Sequence, residues 1–286
     1  MEDEVATFTR NLFERYGCDF RGYRSSSLEK RLRNLCANLQ LPGIDALTAW
    51  VLDNPTRIDF IVENITVPVS DYFREPETFA EVKEHVFPHL RSFSNITIWH
   101  AGCAAGQEVY SLAILLNEAG LYSRSRIFAS DISASCLSAA RDGAEIDEKQ
   151  LAAIERRYAQ GGGSGSLSSY TIRSGDRYRF DPQLLKNVTF IQHNLATDGV
   201  FCEANLIFCR NVLIYFGPEL QRRVFDLFQD SMFRGGFLCL GSRETPISTG
   251  AAYCKEPGCN LIYRPLQPAR SQISMGDGLI EKGGGQ

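Results

Sequence analysis

The sequence predicts an α/β protein in which a helical N-terminal domain precedes a parallel sheet covered by helices, with a small antiparallel insertion. Apolar residues recur at helical spacing in residues 1–90, whereas short β-rich segments alternate with helical segments from 94 to about 267. A hairpin pattern interrupts that alternation between about 146 and 187. We therefore predict a helical domain at 1–90, an α/β domain at 91–270 that contains the insertion, and a flexible tail at 271–286.

The composition favours a globular protein. Of 286 residues, 44% are hydrophobic and 22% charged, which is enough apolar material for a core, and the net charge of −4 argues against nucleic-acid binding. No apolar run reaches the ~18 residues of a membrane span, and the acidic residues at 2–4 predict that there is no signal peptide. The nine cysteines are thus expected to be reduced thiols of a cytoplasmic protein. Cys254 and Cys259 lack the second close pair that a zinc site needs, so we predict no metal.

The helices of the N-terminal domain are predicted from apolar residues that fall on one side of each segment. A run of serines at 25–27 supplies candidate N-caps, and a Pro-Gly pair at 42–43 breaks the chain. The stripes are Phe8, Leu12, Phe13 and Tyr16; Leu28, Leu32, Leu35 and Leu39; Ile44, Leu47, Trp50 and Val51; and Phe79, Val82, Val86 and Leu90.

In the second region, nearly continuous apolar strands indicate a parallel sheet covered on both faces. The predicted strands are 96–99, 127–130, 188–191, 205–209, 237–240 and 261–263, with helices at 108–119, from 133, and at 218–232. The insertion combines a charged helix at 147–158, a Gly/Ser run at 161–166 and a hairpin at 170–180.

The loop that joins the first strand to its helix contains Gly102 and Gly106, which allow a ligand to approach the backbone. Asp131 ends the second strand, where an acidic side chain can bind both hydroxyls of a ribose. Glu108 at the helix start would repel a phosphate, so a cationic nucleoside such as S-adenosylmethionine fits better. The alternative is an ordinary tight strand–helix loop with a capping glutamate.

Three motifs carry a more specific resemblance. Residues 98–113 are similar to the loop W-S-A-G-C-S-T-G-E-E-P-Y-S-L-A of the CheR-type chemotaxis receptor methyltransferases. Residues 66–75 resemble that family's T-T-N-x-T-x-F-F-R, and 208–216 nearly match its F-C-R-N-V-L-I-Y-F. With two shorter matches at 128–132 and 194–195, the similarity runs from about residue 8 to 265.

The resemblance implies a Rossmann-like S-adenosylmethionine-dependent methyltransferase sheet with an N-terminal helical domain and a small β-subdomain. It also implies the reaction: methylation of glutamate side chains on chemoreceptors, giving glutamyl methyl esters and S-adenosylhomocysteine, in chemotaxis signalling. A glutamate is already ionised at pH 7, so no general base and no metal are needed. The enzyme has to align oxygen, methyl and sulfur and to remove water from the carboxylate.

Site residues follow from the resemblance by position. It implies that Arg74 orients a carboxylate and that Tyr215 lies near the transferring methyl. The implied cofactor-binding residues are Ser70, Arg74, Ala101, Gly102, Glu108, Asp131, Ile132, Asn194, Leu195, Asn211 and Val212. Simpler explanations remain for some of these: a surface salt bridge for Arg74 with Glu75 or Glu77, a core aromatic for Tyr215, and a turn-forming role for Asn211.

The sequence departs from the family pattern at several positions. Pro68 replaces asparagine, Gln107 a glutamate, Val109 a proline and Ala105 a threonine, while 204–205 reads Ala-Asn in place of Phe-Asp. These changes put cofactor affinity in doubt more than the fold. They motivate two alternatives: a non-catalytic S-adenosylmethionine-binding or scaffolding relative, and a methyltransferase with a non-chemotaxis acceptor.

Two partner surfaces are implied. In the family a basic helix face meets the receptor's acidic methylation helices, and Arg24, Lys30, Arg31 and Arg33 offer such charge here, although a solvated face explains them equally. The β-subdomain of some members docks a receptor's C-terminal peptide by strand addition, for which 170–180 provides an edge. No nucleic-acid partner and no membrane insertion are expected.

Overall fold

The computed structural model describes residues 3–66, 69–246 and 253–266. Its N-terminal part is helical, as predicted, because the apolar stripes of successive helices meet in one core that contains Phe8, Leu12 and Leu32. Gly17, in the left-handed conformation, ends the first helix and lets the chain turn. The helices are α1 (Glu4–Tyr16), α2 (Ser25–Asn38), α3 (Ile44–Asp53) and α4 (Ile58–Ile65).

The strands that follow are β1 (Ile96–Ala101), β2 (Ser125–Asp131), β3 (Thr171–Ser174), β4 (Arg177–Phe180), β5 (Val188–Gln192), β6 (Ala204–Cys209), β7 (Met232–Leu240), β8 (Tyr253–Lys255) and β9 (Ile262–Pro265). In the described ranges, seven of them form one sheet in the order β5-β2-β1-β6-β7-β9-β8. β5, β2, β1, β6 and β7 are parallel, which confirms the predicted α/β class.

The sheet is mixed, however, because β9 pairs antiparallel with β7, and β8 antiparallel with β9. The sequence pattern predicts a parallel sheet that includes 261–263, and for this strand the prediction is wrong. A short turn joins β8 to β9, and a connection of that length permits only antiparallel pairing of these two strands. β8 runs in the same direction as β7, so β9, which lies between them, is antiparallel to both.

Helices cover both faces of the sheet. Alternate residues of the strands belong to two separate apolar cores: Ile98 and Phe208 face one, and Trp99 and Ile207 face the other. The covering helices are α5 (Pro76–Glu81), which continues through a π-helical turn (Val82–Val86) into α6 (Phe87–Leu90), then α7 (Gln107–Glu118), α8 (Ala134–Asp142), α9 (Glu148–Gln160) and α10 (Pro218–Asp230).

The topology creates a crevice beside β1. The chain passes from β1 to β2 on one side, whereas β6 lies on the other, so the loops that leave the carboxyl ends of β1 and β6 diverge. The helical part closes this crevice: Arg24 N donates to Tyr215 O at 2.9 Å, and Gly217 N to Gly22 O at 2.7 Å.

The predicted hairpin is present as β3 and β4, separate from the main sheet. On its other side β4 pairs with Ile146 through Tyr178. All nine cysteines are unpaired. Within the described ranges, no helix is both long and apolar enough to cross a bilayer. Pro68 and the predicted tail at 271–286 lie outside the described residues.

Candidate functional site

A cleft of about 940 Å³, its open mouth included, lies at the carboxyl ends of β1, β2 and β6. A cleft at the carboxyl ends of parallel strands is the usual place for a ligand in an α/β sheet. Of the residues predicted from the sequence, it is lined by Ser70, Arg74, Gly102, Glu108, Asp131, Ile132, Asn194, Leu195, Asn211, Val212 and Tyr215. Ala101 is not among the lining residues, because it is buried in the core on the Trp99 side of the sheet.

Gly102 brings the first loop close to the loop after β6. Its φ of 74° is a left-handed conformation that glycine adopts without strain, and its N–H donates to Ser130 O at 2.8 Å. A Cβ at this position would lie only 2.5 Å from Val212 Cγ2. Any side chain here would therefore push the two walls of the cleft apart.

We expect Gly102→Ala to weaken binding of S-adenosylhomocysteine by about tenfold or more, since a left-handed alanine costs about 1–2 kcal/mol before the clash with Val212 is counted. Calorimetric titration measures the effect. Gly120→Ala is the control, because that glycine also has a positive φ but has open space around it. Equal dissociation constants for the wild type and Gly102→Ala would show that the close contact between Gly102 and Val212 does not shape the ligand site.

Asp131 ends β2 with its carboxylate fixed by the backbone. Oδ1 accepts a hydrogen bond from Ser133 N at 3.0 Å, and Oδ2 accepts one from Ala104 N at 2.9 Å. Burial raises the pKa of this carboxyl, while the backbone N–H groups oppose the shift. Each oxygen keeps a free lone pair, so the side chain can accept hydroxyl hydrogen bonds from a ligand in the cleft.

Glu108 is part of a buried charge network, which the sequence pattern does not indicate. Arg210 donates to Glu108 Oε2 and, through Nη2, to Glu75 Oε2 at 3.0 Å and to Arg74 O at 2.9 Å. Burial alone would raise the pKa of Glu108, but Arg210 and His100 outweigh it and lower the pKa. Arg210 therefore keeps Glu108 ionised and ties the Arg74 segment to the sheet.

Arg74 lies half-buried at the cleft. Among the described residues, its side chain makes one hydrogen bond, from Nη1 to Val69 O at 3.4 Å, and forms no ion pair. Glu75, the partner that a simple surface salt bridge would use, binds Arg210 instead. The guanidinium is therefore available to an anion in the cleft.

Tyr215 follows the loop after β6 and is half-buried in the cleft wall. The guanidinium of Arg31 lies over its ring, 5.0 Å from the centroid. Arg31 belongs to the predicted basic helix face, yet it turns into the cleft and donates to Ile65 O and Ser27 O. Arg24, Lys30 and Arg33 remain exposed.

Backbone strain is concentrated around this cleft. Non-glycine residues with positive φ in the described part include Phe73 (50°), Glu75 (52°), Ala104 (46°) and Asn211 (60°). All four lie in, or next to, segments that line the cleft. Such conformations persist where surrounding contacts enforce them, and they are typical of ligand sites.

Several residues of the cleft are not among those predicted from the sequence. Tyr23, Arg31, Cys103, Ala104, His193 and Arg210 also line the cleft. Buried Glu244 holds the loop after β6 without lining the cleft. In the sequence, the only indication of Glu244's role is that an acidic residue follows soon after the apolar strand β7.

Of the departures from the family pattern, Gln107 and Ala105 do not line the cleft, and Val109 is buried in the core.

Two family models match the chain. The family described as "CheR methyltransferase, SAM binding domain" matches residues 68–253, and "CheR methyltransferase, all-alpha domain" matches residues 3–66.

Individual relatives agree with these matches. The chain is 38% identical to the putative methyltransferase Cher3 of Pseudomonas putida over 85% of its own length and 88% of the relative's. It is 28% identical to a chemotaxis protein methyltransferase of Listeria innocua, over 85% and 90% of the two chains. It is 26% identical to the probable biofilm formation methyltransferase WspC of Pseudomonas aeruginosa, over 84% and 56%. Among solved structures, a glycopeptide N-methyltransferase complexed with sinefungin aligns at 13% identity over 66% and 57% of the two chains, with a TM-score of 0.36.

Proposed function

The chain belongs to the CheR methyltransferase family and is an S-adenosylmethionine-dependent methyltransferase, and from this premise we propose that it methylates glutamate side chains on the cytoplasmic helices of chemoreceptors. The relatives named as chemotaxis methyltransferases support a receptor as the acceptor. The observation that carries the proposal is Arg74, a guanidinium without an ion-pair partner among the described residues, in a cleft that also contains Tyr215. The proposed place of action is the cytoplasm.

The residues of the cleft suit this cofactor. The bound cofactor supplies a methyl group already activated on a sulfonium sulfur. Asp131 can accept hydrogen bonds from the ribose hydroxyls, and Glu108, kept ionised by Arg210, can attract the ammonium group. Ile132 and Leu195 offer apolar contacts to the adenine, and Gly102 allows the close approach.

The acceptor needs orientation more than activation. A glutamate with an ordinary pKa of about 4.3 is ionised at neutral pH, so no base has to remove a proton. Arg74 can bind that carboxylate through a paired hydrogen bond, and Arg31 adds a second positive charge beside Tyr215. Burial of the acceptor carboxylate in the cleft would then remove water from its oxygens.

The test is methyl transfer from S-adenosylmethionine to receptor cytoplasmic fragments, followed by mass mapping of the product. We expect base-labile methyl esters on glutamates, absent from a fragment in which those glutamates are glutamines. Tight cofactor binding without transfer to any receptor fragment would favour the scaffolding alternative. Methyl groups on another residue type or another protein would favour the non-chemotaxis acceptor, a possibility raised by the similarity to WspC.

We also propose that the hairpin docks a receptor's C-terminal peptide. Within the described residues, β4 is paired on both sides, whereas β3 has a free edge and Ile172 on it is 52% exposed. A free edge can accept an added strand.

Deleting the C-terminal peptide from a receptor that carries one should raise its KM by about tenfold or more while leaving kcat unchanged, because the peptide tethers the receptor without taking part in the reaction. Steady-state kinetics with and without the peptide measure this. Equal KM values for the two receptors would contradict docking at the hairpin.

A further inference from the structure

Glu244 is a buried carboxylate outside the cleft, with 4% of its surface exposed. Within residues 3–66, 69–246 and 253–266, its two oxygens accept hydrogen bonds only from backbone N–H groups. Oε1 accepts from Val212 N at 2.8 Å and Leu213 N at 2.7 Å. Oε2 accepts from Asn211 N and Gly241 N, both at 2.8 Å. One carboxylate therefore satisfies successive donors of the loop that follows β6 and joins that loop to the end of β7.

The loop is held in an unfavourable conformation. Asn211 has a φ of 60°, which for a residue other than glycine requires support from its surroundings. Gly241 packs closely against Asn211 and Glu244, since a Cβ at position 241 would lie 2.8 Å from Glu244 Oε2 and 3.0 Å from Asn211 N. Asn211 and Val212 line the cleft, and so does Tyr215, three residues after Val212.

We propose that Glu244 is a positioning residue that holds residues 211–213 in the conformation that binds the cofactor. The charge of Glu244 is essential to this role, because both oxygens must act as acceptors. Glutamine has the same shape, but its amide NH₂ would face two N–H donors and leave them unsatisfied. The proposal rests on the cofactor site described above and is independent of the acceptor.

Glu244→Gln tests the proposal through two measurements that need no acceptor. We expect the dissociation constant of S-adenosylhomocysteine, measured by calorimetry, to rise by at least about tenfold, as for the loss of a buried hydrogen bond. We also expect faster hydrogen exchange of the amides of Asn211, Val212 and Leu213 in the ligand-free protein. Glu244→Asp keeps two acceptor oxygens and should bind more tightly than Glu244→Gln.

The matched control is Glu118→Gln. Glu118 accepts hydrogen bonds from Ser164 N at 3.0 Å and Gly165 N at 3.2 Å, but it ends α7, away from the cleft. Glu118→Gln should lower the melting temperature without changing the dissociation constant. If Glu244→Gln behaves in the same way, the role of Glu244 is only structural and the proposal is wrong. If Glu244→Gln does not fold, Glu244→Asp provides the test. A wild-type dissociation constant, with wild-type hydrogen exchange of residues 211–213, would overturn the proposal. Weaker ligand binding with faster exchange of those residues would support it.

Discussion

Arg74→Ala should lower kcat by about 100-fold or more while the protein remains folded, because removing one charged donor that orients reacting groups costs about 3–4 kcal/mol in comparable sites. Arg74 is half-buried at the cleft, and within the described ranges its side chain contributes only the hydrogen bond to Val69 O, so little of the fold depends on that side chain. Rates of methyl transfer, with circular dichroism to confirm folding, provide the measurement.

Two variants make the Arg74 prediction specific. Arg74→Lys keeps the positive charge but loses the paired donors, and it should recover only part of the activity. Arg91→Ala removes an exposed arginine after α6, at the opposite end of the sheet, and should match the wild type. Wild-type turnover in Arg74→Ala would exclude Arg74 from the reaction.

Asp131→Ala should weaken S-adenosylhomocysteine binding by about 1.5–3 kcal/mol, which is the expected loss for a hydrogen bond to a charged group. This corresponds to a dissociation constant about 10- to 150-fold higher. The carboxylate is fixed by Ser133 N and Ala104 N, so in the wild type it needs no rearrangement to meet the ligand. Calorimetric titration measures the change.

The alanine variant also removes the acceptor for two backbone donors. Asp131→Asn is therefore the better-matched variant, since it keeps one acceptor oxygen and the side-chain volume, and it should bind at an intermediate strength. Asp176→Ala, at the exposed tip of the hairpin, is the control and should bind as the wild type does. An unchanged dissociation constant in both Asp131 variants would remove this residue from the site.

The sequence predicts the parts of the fold that depend on local pattern. The stripe of Leu28, Leu32 and Leu35 predicts α2 because helical periodicity is a local property. Neither the antiparallel β8 and β9 nor the π-helical turn at Val82–Val86 was predicted. The direction of β9 depends on its pairing with β7, and the π-helical turn depends on how α5 and α6 pack in the folded protein. Neither can be deduced from the spacing of residues along the chain.

In the site, too, residues within local motifs are predicted from the sequence, whereas residues that meet through long-range contacts are not. Gly102 and Asp131 lie at strand ends and Glu108 in the first turn of α7, and family motifs mark their positions. Arg210 binds Glu108 and Glu75, which are 102 and 135 residues away in the chain. No local pattern indicates which carboxylates meet a given arginine over such separations. Arg31 reaches Tyr215, and Glu244 reaches Asn211, in the same way, through tertiary contacts.

The most direct test of the account is a crystal structure of the protein with S-adenosylhomocysteine. We predict that the ribose hydroxyls hydrogen-bond to Asp131 and that the sulfur faces the part of the cleft shared by Arg74 and Tyr215. A ligand bound elsewhere, or one whose sulfur points away from both residues, would contradict the proposed site for methyl transfer.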